Sequence, residues 1–128
     1  MKEYAVRLKS GNDLKKEIEK ACNNSTGVIL SGVGCLRSLN IRLAGGKDYL
    51  SKKDDFEIVS LIGTISNGKA HVHICASDNK GNCLGGHLEY DSIVNTTCEL
   101  VIGILQDYES IREFDDTTGY KEIEFRKK

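Results

Sequence analysis

The sequence predicts an α+β fold, in which one main helix packs against a curled, largely antiparallel sheet of about seven strands. Most apolar residues alternate with polar ones at the two-residue period of a half-buried strand. Only one segment, near the N-terminus, instead spaces its apolar residues by three and four. The segments between predicted strands are short and rich in Gly, Asn and Asp. They favour hairpins, since a parallel crossover needs roughly a dozen residues or more.

The first strand and the main helix are predicted near the N-terminus. Residues 3–9 alternate apolar with charged or small side chains, as a strand does. Ser10 follows and is expected to cap the helix, with Asp13 near the capping-box position. The helix would place one apolar stripe against the sheet, formed by Leu14, Ile18, Ala21 and Cys22.

The middle of the chain is predicted to hold three strands and one loop. Residues 28–33 form a β-branched apolar run that indicates a buried strand, ended by Gly34. Residues 38–43 alternate and predict a separate half-buried strand. Residues 44–55 are charged and contain Gly, which is typical of a solvated loop or of the end of a hairpin. Residues 56–65 carry apolar side chains on both faces and predict a central strand.

A hairpin and two later strands complete the predicted sheet. Residues 70–89 hold a strand, a turn rich in Asp, Asn and Gly, and a returning strand. Residues 98–105 indicate another buried strand. Residues 107–116 are acidic and polar, and we expect a loop or a short helical turn there. Residues 120–126 alternate again and would close the sheet.

The composition describes a globular chain with no strong charge bias. Its 128 residues predict a single domain over residues 1–128 with a hydrophobic core. The formal net charge of −1 and the pI of about 6.3 give no overall attraction to nucleic acid or to an anionic membrane. No apolar run approaches the roughly 20 residues of a membrane span. The N-terminus lacks the apolar block of a signal peptide, so we expect a cytoplasmic protein without a membrane partner.

The five cysteines predict reduced thiols and not a disulfide framework. Their number is odd and they form no C-x-x-C pair, which also argues against a zinc ribbon. We expect most of them to be buried as small apolar side chains. They are Cys22, Cys35, Cys75, Cys83 and Cys98.

All three histidines of the chain fall within 17 positions of the predicted hairpin. His71 and His73 are two residues apart, so they project from the same face of one strand. His87 would return beside them on the second strand and complete a three-nitrogen site with an open position. Imidazole ligands suit Zn²⁺ most simply, and Ni, Co, Fe or Cu also fit. The alternative is that the histidines are ordinary sheet residues, hydrogen-bonded at a subunit boundary.

Two glycines and one arginine are expected to lie beside the histidines. Gly85 and Gly86 have no side chains and leave room for a ligand or for a neighbouring backbone. Arg42 would bind a small anion in the histidine pocket or pair with Glu57 across strands. The ion pair is the simpler of the two interpretations.

Two thiols and two carboxylates near the histidines have weaker signals. Cys75 extends the histidine face and could be a fourth ligand, but burial as a small apolar residue is the more common outcome. The same interpretation applies to Cys83. Glu89 and Asp91 could orient a histidine or act as a base, and a solvated turn is the simpler alternative for both.

Three motifs together resemble the plant-and-prokaryote-conserved domain, called PPC or PCC. They are the run FEIVSLIGT of residues 56–64, the H-x-H of residues 71–73 and the G-G-H of residues 85–87. The resemblance extends from the start of the helix near Gly11 through residues 98–105. It therefore covers most of the chain.

The resemblance implies a compact α+β domain that assembles as a homotrimer. In plants this domain follows AT-hook motifs in nuclear DNA-binding proteins, where it serves mainly for association. This chain has no Arg-Gly-Arg-Pro hook and no proline, so it is similar to the stand-alone prokaryotic form. That form carries the H-x-H and G-G-H histidines, which match His71, His73 and His87.

Three functions follow as hypotheses. The first is a homotrimeric module that binds Zn²⁺ or another divalent transition metal, or a small anionic ligand. The second is a DNA-binding or regulatory protein, as the family label suggests, although the charge and the missing hook do not favour it. The third is an enzyme in which a His-bound metal activates water for hydrolase or lyase chemistry. The residues assigned to the site are His71, His73 and His87 as metal ligands, with Arg42, Gly85 and Gly86 as ligand contacts.

Overall fold

Eight strands and one helix make up the chain in the computed structural model, which describes residues 1–128. The α+β class and the single main helix are confirmed, and the strands number eight where about seven were predicted. The elements in chain order are β1 (Lys2–Lys9), α1 (Leu14–Cys22), β2 (Thr26–Arg42), β3 (Tyr49–Ser66), β4 (Lys69–Ser77), β5 (Cys83–Leu88), β6 (Val94–Ile104), β7 (Tyr108–Asp115) and β8 (Tyr120–Lys127).

The strands form two antiparallel sheets. The larger has the order β1-β6-β2-β3-β4-β5, and the smaller is the hairpin of β7 and β8. Strand β5 pairs with β4 and also reaches β2, where Leu88 lies opposite Ile41 and His87 opposite Arg42. Strands β2, β3, β4 and β5 therefore close into a ring, which confirms the predicted curl of the sheet.

The inner face of the curled sheet and one face of the helix enclose the core. It is a cluster of 21 buried apolar residues drawn from the helix and from strands β1 to β6. The apolar stripe of the helix is confirmed, with Leu14, Ile18 and Cys22 buried and Ala21 packed against the cluster. This arrangement leaves the outer face of the sheet for other contacts.

The helix has nine residues, and no helix of the chain combines the length and apolar composition that crossing a bilayer requires.

The helix begins with a different cap from the one predicted. Asp13, not Ser10, is the N-cap residue, and its carboxylate accepts a hydrogen bond from the Lys16 backbone N–H at 3.1 Å. The second carboxylate oxygen accepts from the Asp91 backbone N–H at 2.8 Å. Asp13 therefore stabilises the first turn of the helix and also fixes the turn that precedes β6.

Two predicted strand boundaries were wrong. Gly34 does not end a strand, because β2 continues through it as one element of 17 residues. A side chain there would collide with the Thr97 carbonyl, so glycine permits β6 to approach closely. Residues 49–55 are also not a loop. They begin β3, and residues 49–53 pair with residues 38–42 of β2. The predicted segment is therefore the end of the β2–β3 hairpin, with a turn that stops before residue 49.

The segment predicted as a loop or helical turn, residues 107–116, contains strand β7. It pairs with β8 over eight registered residue pairs and forms a hairpin outside the main sheet. The predicted last strand therefore does not close the main sheet, because its partner is β7. The many charged residues of this segment led to the wrong prediction of a loop or helical turn.

A chain of buried hydroxyls fastens this hairpin to the main sheet. The Ser110 hydroxyl of β7 donates to the Ser66 hydroxyl at 2.7 Å and shares a second hydrogen bond of 2.7 Å with Thr26. All three side chains are buried. The Asn67 side-chain amide also donates to the Ser110 carbonyl at 3.0 Å. The hairpin is thus attached through polar groups that are satisfied only by one another.

Replacing Ser110→Ala should destabilise the protein by about 1–3 kcal/mol, because the change leaves buried hydroxyls without a partner. The measurement is the free energy of unfolding in urea. Ser51→Ala, at an exposed position of β3, is the matched control and should change it by less than about 0.5 kcal/mol. Equal effects of the two changes would contradict the role of the hydroxyl chain.

Candidate metal centre

The hairpin of β4 and β5 brings the three histidines together on the outer face of the main sheet. His73 lies directly opposite His87 in the register, and His71 lies two residues before His73 on β4. Ring centroids are 5.2 Å apart for His71 and His73, 5.2 Å for His71 and His87, and 6.0 Å for His73 and His87. One ring nitrogen from each residue lies within 4.8 Å of the other two. The three rings therefore converge.

This cluster fits the donor set of a transition-metal ion. With Zn–N bonds of about 2.0–2.1 Å in tetrahedral geometry, bound nitrogens lie about 3.3 Å apart. The observed separations exceed that value by at most about 1.5 Å, which side-chain rotation can close. Three ligands leave a fourth position for water or another ligand.

His87 is the most buried of the three rings. Its side chain is 17% exposed, and its Nε2 atom lies 3.9 Å from a Glu89 carboxylate oxygen. Its Nδ1 atom is buried and has no hydrogen-bond partner. A buried polar atom without a partner is costly in a folded protein, and metal binding would satisfy it.

The surroundings of His71 and His87 favour the neutral form of these two imidazoles. Burial lowers the pKa of His87 to about 4, with further contributions from the positive charge of Arg42 and from His71 and Lys15. Burial likewise lowers the pKa of His71, helped by His73 and Arg112. Metals bind the unprotonated ring, so His87 has no proton to release before it ligates at neutral pH.

The two glycines beside the histidines allow neighbouring strands to approach closely. A Cβ at Gly86 would lie 2.6 Å from the Arg42 carbonyl oxygen, and one at Gly85 would lie 3.1 Å from the Ile74 carbonyl oxygen. The structure shows the close neighbouring backbone, and both glycines also line a cleft together with His73 and His87. The absence of a side chain at Gly86 lets β5 approach β2, which places His87 opposite Arg42.

Arg42 lies at the site and not with Glu57. It pairs in the register with Tyr49 and His87, whereas Glu57 lies opposite Cys35 and Ser77. The predicted ion pair between Arg42 and Glu57 is therefore wrong, because the two residues occupy distant parts of the ring of strands. Arg42 lines the same cleft as His87.

The thiols lie next to the histidine cluster and are not part of it. Cys75 is half-buried and Cys83 is exposed, so the predicted burial of Cys83 is wrong. Cys75 lies opposite Gly85, and Cys83 opposite Ser77, which puts the two thiols on one face of the hairpin. Burial raises the pKa of the Cys75 thiol, and the Cys83 thiol raises it further. All five cysteines are free, and only Cys22 and Cys98 are fully buried.

Of the two carboxylates, only Glu89 lies near a histidine. The Glu89 carboxylate lies between His87 and Lys15. Its Oε1 atom is 3.9 Å from His87 Nε2, and its Oε2 atom is 3.9 Å from Lys15 Nζ. Asp91 lies in the turn before β6, with φ of 67°. Its carbonyl accepts hydrogen bonds from Ser38 and Asn40, which confirms the simpler interpretation of this residue as part of a turn.

Sequence reasoning missed the wall that the β7–β8 hairpin adds to the site. Arg112, Tyr120, Lys121 and Glu122 line a cleft of about 310 Å³ together with the residues His71, His87, Arg42 and Ala70. The Arg112 Nη1 atom donates to the Lys121 carbonyl at 3.5 Å, and its buried Nη2 atom has no partner. The apolar residues Tyr108, Ile111 and Phe114 are spaced by three and not by two, so no alternating pattern was present to predict this strand.

A family model for the Plants and Prokaryotes Conserved (PCC) domain matches residues 1–106. The chain belongs to this family. The match ends before β7, so the histidine cluster lies in the PCC domain and the β7–β8 hairpin lies outside the matched residues. The resemblance recognised in the three sequence motifs is confirmed.

The chain is also similar to one segment of a longer protein. The bifunctional protein GlmU from Synechococcus sp. strain JA-3-3Ab is 33% identical over 127 residues, which are 97% of this chain and 20% of GlmU. The chain thus spans about a fifth of the length of the curated relatives it matches.

Two solved structures share the fold along nearly the whole chain. A hypothetical protein from Salmonella enterica is 31% identical with a TM-score of 0.94, covering 99% of this chain and 94% of its own. The metal-containing protein AF0104 from Archaeoglobus fulgidus is 28% identical with a TM-score of 0.70, covering 94% of this chain and 91% of its own. Both include the region that follows residue 106, since each match extends over more than nine-tenths of this chain.

In metal-free PCC domain, His87 should stay neutral down to about pH 4, because burial and Arg42 oppose its protonation. An unfolded chain protonates the same ring near pH 6.5 and therefore binds more protons between about pH 6.5 and pH 4. Folding stability should fall as the pH is lowered through that window. NMR titration of the His87 ring carbon signals measures the pKa directly.

Arg42→Gln should raise the His87 pKa, because it removes the largest of the charges that lower it. Arg126→Gln is the control. Arg126 pairs with Glu113 and Glu124 on the β7–β8 hairpin and does not line the cleft, so its loss should leave the His87 pKa unchanged. A His87 signal that titrates at or above pH 6.5 would contradict the burial of this ring.

Proposed function

We propose that this PCC-domain protein binds one divalent transition-metal ion per chain, Zn²⁺ first, through His71, His73 and His87. The observation that carries the proposal is the convergence of one nitrogen from each ring within 4.8 Å. The buried, unpartnered Nδ1 atom of His87 supports it, because this atom gains a partner when a metal binds.

The chemistry of the donor set sets the choice of metal. Three neutral imidazoles suit Zn²⁺ and also accept Ni, Co, Fe or Cu. A similar structure from Archaeoglobus fulgidus is described as a metal-containing protein, which supports the proposal at 28% identity. A bound Zn²⁺ would supply Lewis acidity at its open position. Glu89 would orient His87 through its carboxylate, which lies 3.9 Å from the ring.

Protein purified without metal and then loaded with excess Zn²⁺ should retain about one ion per chain after desalting. Elemental analysis measures the stoichiometry. The purification tag should contain no histidine, so that the tag itself binds no metal. His87→Ala and His73→Ala should each weaken zinc binding by tenfold or more, because two remaining imidazoles hold zinc poorly.

The matched control is Cys75→Ser, on the same strand and the same face as His73. It should leave the stoichiometry and the affinity unchanged, because the cluster does not include Cys75. Loss of zinc in this variant would make the thiol a ligand. Equal zinc retention in wild-type protein and in both histidine variants would contradict the site itself.

We infer further that the chain assembles as a homotrimer through the outer face of its main sheet. Four large apolar side chains are strongly exposed on β2 and β3. Monomeric proteins rarely leave such groups uncovered when they lie close together. The exposed fractions are 47% for Leu30, 53% for Val33, 62% for Val59 and 68% for Ile62.

Light scattering coupled to size exclusion should give three times the 14.1 kDa mass of the chain. The double change Val33→Lys with Val59→Lys should lower the measured mass to that of one chain, because charge at a buried apolar contact opposes association. Phe114→Lys, which alters a residue of the separate hairpin that is 66% exposed, is the control and should keep the wild-type mass. A monomeric wild-type protein would contradict the trimer.

The other two functions stay predictions. DNA binding would depend on a local basic patch, since the formal net charge is −1. Hydrolase or lyase chemistry needs a base near the metal, and Glu89 is the carboxylate closest to a proposed ligand. A cytoplasmic location likewise stays a prediction.

A further inference from the structure

The cleft between the histidine cluster and the β7–β8 hairpin is basic. Arg42 enters it from β2, and Arg112 and Lys121 enter it from the hairpin. One carboxylate, Glu122, lines it as well. Three cationic residues against one anionic residue leave a formal charge of +2. Positive charge therefore exceeds negative charge in this cleft, whereas the chain as a whole has a net charge of −1.

The positive charge lies directly beside the histidines. His71 and His87 line the same cleft as Arg42 and Arg112. His87 also lies opposite Arg42 in the strand register.

Arg112 has donor capacity that the protein does not use. Its Nη1 atom makes one long hydrogen bond of 3.5 Å to the Lys121 carbonyl. Its Nη2 atom is buried and has no partner at all. A guanidinium presents its donors as a planar fork that matches the two oxygens of a carboxylate or a phosphate. An oxyanion in the cleft would satisfy this atom.

We propose that this cleft binds a small oxyanion, a carboxylate or a phosphate group, held by Arg112 and Arg42 beside the histidine cluster. The proposal rests on the metal site proposed above, because it names the ligand that would share that site. The volume of about 310 Å³ suits a small organic acid or a phosphate monoester.

The two halves of this site come from different parts of the chain. The histidines and Arg42 belong to the residues that match the PCC family model, whereas Arg112 and Lys121 follow them in the hairpin. The family domain would hold the metal, and the hairpin would select the ligand.

The test titrates inorganic phosphate, and separately acetate, into metal-free and zinc-loaded protein at constant ionic strength. Backbone amide NMR shifts of β5 and β7 report the binding. At least one of the two anions should saturate these shifts, and the one that binds more tightly assigns the oxyanion as carboxylate or phosphate. Arg112→Gln should weaken that binding by about tenfold or more, since it removes a charge-assisted fork.

Two further variants distinguish recognition from bulk charge and from loss of folding. Arg126→Gln removes the same charge from the same hairpin, but Arg126 lies outside the cleft and its loss should change the affinity less than twofold. Arg112→Lys keeps the charge without the fork and should fall between wild-type and Arg112→Gln. Equal weakening by Arg126→Gln, or no saturation by either anion, would overturn the proposal.

His73→Ala separates this proposal from the metal site, because His73 does not line the cleft. The variant should lose zinc and keep the metal-free affinity for the anion. If the protein binds zinc but neither anion shifts the amide signals, the oxyanion site is contradicted and the metal site is supported. Anion shifts without zinc loading in the wild-type protein would do the reverse.

Discussion

The position of His87 depends on the backbone of β5 pairing with two strands at once. Hydrogen bonding to β4 sets His87 opposite His73, and the short pairing with β2 sets it opposite Arg42. Only two residue pairs form that second contact, and Gly86 permits it because a side chain would meet the Arg42 carbonyl. The histidine cluster and its basic neighbour are therefore consequences of how the ring of strands closes.

The electrostatics of the site make a metal and an anion complementary. Burial lowers the pKa values of His71 and His87, and the positive potential of Arg42, Arg112 and Lys15 nearby lowers them further. The same potential would oppose a divalent cation by itself. Glu89 offsets part of it, and an oxyanion bound to the guanidinium groups would offset more. Each ligand would thus strengthen the binding of the other, a coupling that is reciprocal by thermodynamic linkage.

The sequence predicted the fold class, the helix and the histidine hairpin because each has a strong local signal. Alternation identified β4, and the spacing of Leu14 and Ile18 identified the helix. It failed at Gly34 and in residues 49–55, where glycine and charge usually indicate a loop. Both are strand residues here because of tertiary contacts that no local pattern reveals.

The residues of the candidate site likewise divide into those that the sequence could predict and those that it could not. The three histidines could be assigned because the returning strand follows from a recognisable turn. Arg112 and Lys121 could not, since a separate hairpin docks them against the cluster across more than twenty intervening positions of sequence. The contact between Arg42 and His87 also required knowledge of the ring closure.

The buried hydroxyls beneath that hairpin constrain how this protein can diverge. The hydroxyls of Ser110, Ser66 and Thr26 hydrogen-bond to one another. A single change to an apolar residue at any of these positions therefore leaves a buried hydroxyl without a partner. Replacement of all three by apolar side chains of matching shape would be nearly neutral by comparison. Homologues should therefore keep the hydroxyl trio whole or exchange it whole, and its co-variation in an alignment would mark which of them dock the hairpin as this chain does.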